Sequence, residues 1–231
     1  MNDIPDSNQP ANIGKVVCVG RNYVAHAQEL GNDVPDTPML FIKPASTVQY
    51  LSDDGRINAV FDDVPRQRSY AVHYETELCV QMAQDVYHAD VKQVCDGLQN
   101  GLLAGVTVGL DLTLRELQTE LKAIGYPWER AKCFMGSCVL GDWLPMGLGE
   151  CTDDFSQLTY QLWIDDVLTQ QGNPSLMIFD LPRLISDASH AFGLQSGDVL
   201  MTGTPSGVGV LKKGQRLKMV LQDESYFADV V

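Results

Sequence analysis

Apolar and polar positions alternate most cleanly between Tyr70 and Met82. Tyr70, Val72, Tyr74, Thr76, Leu78, Val80 and Met82 share one side of an extended chain, and Ala71, His73, Glu75, Glu77, Cys79 and Gln81 share the other. This predicts a strand with one core face and one acidic face. Short apolar runs predict further strands over 15–20, closed by a glycine, and over 39–42, 139–144, 158–164, 199–202 and 217–221. A glycine-interrupted apolar run over 102–110 predicts a strand that ends at Asp111. Helical spacing predicts helices over 23–30, stopped by Gly31 and Asn32, over 113–124 and over 182–192. Thr113 and Glu116 have the spacing of a capping box, and Gly125 and Gly193 stand where the later two helices would stop. Asp53-Asp54-Gly55 predicts a turn, followed by an irregular stretch through Pro65. Strands outnumber helices and do not alternate with them in βαβ order, so the expected fold is α+β and predominantly β. The irregular stretch near Pro65 suggests a boundary between a small N-terminal part over 13–64 and a β-rich domain over 65–231, and the polar first residues suggest a flexible tail over 1–12.

Of 231 residues, 45% are apolar, enough to bury the core of one large domain or two small ones. Lys and Arg number 16 against 30 Asp and Glu, a net charge of −14, which argues against a nucleic-acid or anionic-membrane binder. The longest apolar stretch, over 98–114, is broken by Asn100, glycines and Asp111, short of the ~18 uninterrupted residues of a membrane span. Residues 1–10 carry two Asp and no Lys or Arg, unlike a signal peptide. The six cysteines, Cys18, Cys79, Cys95, Cys133, Cys138 and Cys151, form no Cys-x-x-Cys pair, and several lie in apolar runs, which suits buried free thiols in a reducing, cytoplasmic setting.

Four places hold candidate chemistry. Glu75 and Glu77 sit on one face of a strand, roughly 7 Å apart at Cα, a spacing suited to two oxygen ligands on one hard divalent cation. Alone, such a pair more often marks a solvated strand face. Asp111 stands where a strand hands over to a helix, most often a capping position but also a place where sites are built. Three carboxylates with open positions would suit Mg²⁺ or Mn²⁺. His26 and Glu29, three apart on a helical turn, lie side by side, so that the carboxylate can orient the imidazole or simply form a surface pair. The run from Thr202 to Gly209 combines three glycines, a proline and hydroxyls into a tight turn whose backbone N–H groups could hold a carboxylate; it lacks the lysine of a phosphate loop.

The order of these pieces resembles the fumarylacetoacetate hydrolase family from about Lys15 to about Val220, through VVCVGRNYVAHAQELGN, PMLFIKP, HYETEL, LDLTLRELQ, PWERAK and SGDVLMTGTPSGVG. Pro127-Trp128, Ala131-Lys132 and Ser137-Cys138 resemble its small single-domain branch of acylpyruvate hydrolases and oxaloacetate decarboxylases or tautomerases. The resemblance implies a rolled, mixed β-sheet fold, usually homodimeric, with the lid in the N-terminal part and catalysis in the β-rich domain. It implies Mg²⁺ or Mn²⁺ on Glu75, Glu77 and Asp111, a catalytic His26–Glu29 dyad on the lid, and Lys132 as a further catalytic group. Arg21, Arg115, Gln118 and Thr204 would contact a small 2-oxo acid substrate. Leu110 and Glu116 depart from the family's Asn and Asp, and Lys132-Cys133-Phe134-Met135 keeps the lysine of a Lys-Gly-Phe-Asp run but loses its acid, which argues against fumarylacetoacetate itself. The implied chemistry passes through a pyruvate-type enolate, reached by acylpyruvate C–C hydrolysis, oxaloacetate decarboxylation or keto–enol tautomerisation. Two alternatives stand beside it: a hydratase or isomerase of 2-oxo acids on the same fold, and a non-catalytic, metal-dependent dicarboxylate binder.

Overall fold

The strand Lys15–Gly20 buries four consecutive residues, Val16 to Val19, because its sheet is covered on both faces. The computed structural model describes residues 12–146 and 155–231; the tail expected over 1–12, apart from its last residue, and Cys151 lie outside the described residues. In the larger sheet the order is Met39–Pro44, Lys15–Gly20, Val199–Met201, Thr76–Met82, Leu103–Asp111, Cys138–Leu140 and Val48–Tyr50, with Leu144–Pro145 also pairing to Leu103–Asp111. Lys15–Gly20 runs parallel to Val199–Met201, and Cys138–Leu140 parallel to Val48–Tyr50; the other pairs are antiparallel. A second sheet orders Val167–Gly172, Tyr160–Ile164, Arg216–Leu221, Glu224–Val230 and Arg56–Ile57.

Alternation along the strands divides the interior. Val17, Val19, Leu78 and Val80 join Tyr160, Leu162, Leu217 and Met219 of the second sheet in the main core, about which the mixed sheets roll. Val16, Cys18, Cys79, Cys138, Leu140, Val199 and Met201 form a smaller, sulfur-rich core on the opposite face. Burial pushes the Cys138 thiol up to about 12 and raises Cys18 and Cys79 well above the ordinary thiol range, so these cysteines behave as small hydrophobes. Among the described residues no helix is long and apolar enough to cross a membrane.

Several local expectations need correction. The alternating run over 70–82 is divided among Arg68–Ala71, His73–Tyr74 and Thr76–Met82, and the last of these is buried at every position. Its acidic face therefore points inward. The helix expected over 113–124 spans Arg115–Ala123 and has no capping box: the Thr113 hydroxyl donates to the Asp111 carbonyl (3.2 Å), and Glu116 pairs with Arg68. The acidic turn at Asp53-Asp54 is a short helix, Leu51–Asp54, ended by Gly55 in the left-handed region (φ 61°). The strand expected over 139–144 is interrupted between Cys138–Leu140 and Leu144–Pro145. Sequence patterning also passed over the helix Val91–Gln99, whose N-terminus carries a true capping box between Asp90 and Gln93.

Candidate active site

Three buried carboxylates converge because three backbone segments end side by side. Glu75 lies between the strands His73–Tyr74 and Thr76–Met82, Glu77 points from the latter, and Asp111 ends Leu103–Asp111. The pairing of Glu77 with Gly109, and the hydrogen bond from Asp111 N–H to the Glu75 carbonyl (2.9 Å), fix the register. One ligand oxygen from each carboxylate lies within 4.8 Å of the others.

Cations surround this cluster. Lys132, at the end of the short helix Glu129–Lys132, donates to Glu75 Oε2 (2.8 Å) and Asp111 Oδ2 (2.7 Å), and Arg115 pairs with Glu75 Oε1. Lys43 Nζ lies 2.9 Å from Asp111 Oδ1, although Oδ1 has no hydrogen bond of acceptable geometry. Burial alone would push the Glu75 carboxyl up, but the Lys132 and Arg115 charges outweigh it and hold it well below the usual carboxylate range. Glu77 goes the other way: burial first, then repulsion from Asp111 and Glu75, push it well up, and the Gly203 N–H, which donates to Oε2 at 2.7 Å, offsets only part of this. Lys132 is raised, since attraction to Asp111 and Glu75 exceeds the cost of burial. The hard, oxygen-only donor set, the mutual repulsion felt by Glu77 and the unbonded, buried Asp111 Oδ1 all fit a divalent cation.

His26 and Glu29 lie on the short helix Val24–Glu29. His26 is buried, and its Nδ1 is 3.6 Å from Glu29 Oε2, in ion-contact range but too long for a hydrogen bond. Glu29 is itself held: both carboxylate oxygens accept from Gly207 N–H at 3.1 Å. The glycine-rich turn thus holds two carboxylates of the protein, Glu77 at Gly203 and Glu29 at Gly207. Gly203 has φ 102°, and a Cβ there would lie 2.7 Å from Asn22 Cβ, so the turn requires glycine. Burial, more than the opposing charges of Glu75 and Glu29, holds His26 below the ordinary histidine range.

Every residue expected to hold metal, act in catalysis or contact substrate, except Glu29, lines one cleft of about 460 Å³ including its open mouth: Arg21, His26, Glu75, Glu77, Asp111, Arg115, Gln118, Lys132 and Thr204. Glu29 stands behind His26. Gln118 Oε1 accepts from Arg115 Nη1 (2.7 Å), and Thr204 Oγ1 accepts from Gln170 Nε2 (2.9 Å). Two supporting residues were missed. Lys43 is fully buried and also donates to Ser137 O and Oγ (3.0 Å each); its signal was a lysine directly after the apolar run 39–42. Gln170 ties Thr204 to the Thr76 N–H (2.9 Å) and had no distinctive local signal. Met135, where the resembled run has an acid, is 86% exposed and does not line this cleft, so that departure leaves the cluster intact.

A rolled mixed sheet that buries an oxygen-ligand cluster beside a histidine defines a metal-assisted enzyme class. The chain belongs to the fumarylacetoacetate hydrolase family, matching the fumarylacetoacetate (FAA) hydrolase C-terminal region over residues 15–228. It is 38% identical over 213 residues to oxaloacetate tautomerase YcgM of Escherichia coli (strain K12), covering 92% of this chain and 90% of the relative. It is 37% identical over 207 residues to the mitochondrial oxaloacetate decarboxylase of Dictyostelium discoideum, covering 88% and 87%. The crystal structure of fumarylpyruvate hydrolase from Pseudomonas aeruginosa in complex with Mn²⁺ and pyruvate superposes with a TM-score of 0.82 at 29% identity, over 99% of this chain and 94% of that one.

Proposed function

We propose that this protein is a divalent-metal-dependent enzyme that acts on small 2-oxo acids through a pyruvate-type enolate, with oxaloacetate and acylpyruvates as its substrate types. The observation that carries the reading is the convergence of Glu75, Glu77 and Asp111 within 4.8 Å beside a buried histidine. The names of the relatives support it: oxaloacetate tautomerisation, oxaloacetate decarboxylation and fumarylpyruvate hydrolysis all need a negative charge stabilised next to a 2-oxo acid.

Glu75, Glu77 and Asp111 would hold Mg²⁺ or Mn²⁺, which when bound supplies Lewis-acid polarisation of a 2-oxo carbonyl. His26 is the base. Its depressed pKa keeps it neutral at pH 7, and with Glu29 on the Nδ1 side the basic atom is Nε2, which takes a proton from substrate carbon or from water. Lys132 and Arg115 set positive charge near the developing enolate. Gln118 Oε1 already accepts from Arg115, which leaves its amide N–H groups to donate to substrate; Thr204 Oγ1 accepts from Gln170 and donates only a long 3.5 Å bond to the Pro205 carbonyl, from which its O–H can turn to substrate. A pure binder would have no use for a buried base backed by a carboxylate.

NMR of metal-free and Mg²⁺-loaded protein with oxaloacetate, and separately with acetylpyruvate, tests this reading. Metal-dependent enol exchange or pyruvate formation is expected, and His26→Ala should lower turnover by about 10²- to 10⁴-fold, the usual worth of a positioned base. Inactivity toward both compounds, or full activity of His26→Ala, would overturn it.

A further inference from the structure

Two cations on the wall of the cleft take no part in the buried cluster. Lys122, on the last turn of the helix Arg115–Ala123, lines the cleft mouth with its Nζ 5.5 Å from the Trp128 ring centroid. Arg21 lines the same cleft from the segment between Lys15–Gly20 and Val24–Glu29, with φ 58°, a left-handed conformation uncommon for arginine. Lys43, Lys132 and Arg115 each contact Glu75 or Asp111, whereas Arg21 and Lys122 have no carboxylate within ion-pair distance among the described residues. That is notable in a chain with 30 acids for 16 bases. Partial burial, then repulsion from Arg21 and Arg115, depress the Lys122 ammonium. Unpaired like charges held together on a cleft wall, one in a strained backbone, are stabilised by an anion.

The nature of that anion follows from the reading of the cleft as a 2-oxo acid site, on which this inference rests. The carboxylate and 2-oxo oxygens adjoin the buried cluster, so an anion at the mouth is the far end of the same molecule. We propose that Lys122, together with Arg21, binds the second carboxylate of a dicarboxylic 2-oxo acid and thereby selects oxaloacetate-type substrates over acylpyruvates with an uncharged acyl end.

Steady-state kinetics of the Mg²⁺-loaded protein with oxaloacetate and with acetylpyruvate, for the unaltered chain, Lys122→Gln and Lys122→Arg, tests it. Lys122 is exposed at the helix surface, and the arginine variant controls for folding and charge. In Lys122→Gln the ratio of kcat/KM for oxaloacetate to that for acetylpyruvate should fall roughly 10- to 100-fold, as expected for one charged hydrogen bond, mostly through a higher KM for oxaloacetate. Lys122→Arg should restore most of the ratio. A ratio that stays within about threefold while the unaltered chain turns over both compounds would overturn this inference alone. Inactivity of the unaltered chain toward both would overturn it together with the reading beneath it.

Discussion

The paired strands Thr76–Met82 and Leu103–Asp111 present two buried faces of opposite kinds. Leu78, Val80, Val106 and Val108 enter an aliphatic core, held by area removed from water and by close packing. Glu77 lies on the other face, next to Glu75 and Asp111: Lys132 and Arg115 hold Glu75 ionised against the cost of burial, while burial, and then the other two acids, raise Glu77. Both faces are equally dry, so burial alone does not separate structure from function. What separates them is how each responds to the loss of one partner. In the aliphatic core the loss leaves a cavity; in the charged cluster it leaves an uncompensated charge.

The largest expected effect is at Lys132. Lys132→Met leaves Glu75 and Asp111 without their shared cation, so turnover should fall more than about 100-fold, the upper range for groups supporting a metal site. The metal-free variant should also melt lower, by about 3–5 kcal/mol of stability, and Mg²⁺ should recover more of that loss than it adds to the unaltered chain. Thermal melts with and without Mg²⁺ check both. Leu78→Ala, on the opposite face of Thr76–Met82 from Glu77, should cost about 2–5 kcal/mol in denaturant unfolding with turnover per folded molecule nearly unchanged and no Mg²⁺ dependence of the loss. The smallest effect is at Glu29. Because His26 must be unprotonated and lies below the ordinary 6.5, the acid limb of kcat should fall below pH 6.5; since Glu29 raises His26, Glu29→Gln should move that limb lower still. A pH–rate profile gives the direction of the shift, with about a tenfold loss at neutral pH for the displaced orienting partner.

The same contrast explains what the sequence revealed. The aliphatic face was legible as alternation, and the carboxylates as residues on one side of a strand or at its end. Their inward direction was not legible, because the groups that meet them, Gly203 at Glu77 and Lys132 and Arg115 at Glu75, come from distant parts of the chain. Lys43 was hidden for the same reason: its partner Asp111 ends a strand four places away in the sheet and is brought to it only by the roll of that sheet. The capping box at Thr113 failed because its hydroxyl is taken by the Asp111 carbonyl, and its backbone bridges to His73, so the helix starts later. The helix Val91–Gln99 was legible through Asp90 and Gln93 and was overlooked beside stronger apolar runs.

The most direct measurement is a calorimetric titration of Mn²⁺ into metal-free protein, repeated with Asp111→Asn. One Mn²⁺ bound per chain, with proton release at a raised carboxyl and at least tenfold weaker binding in the variant, is the result the account predicts. No saturable binding, or binding that Asp111→Asn leaves unchanged, would contradict it.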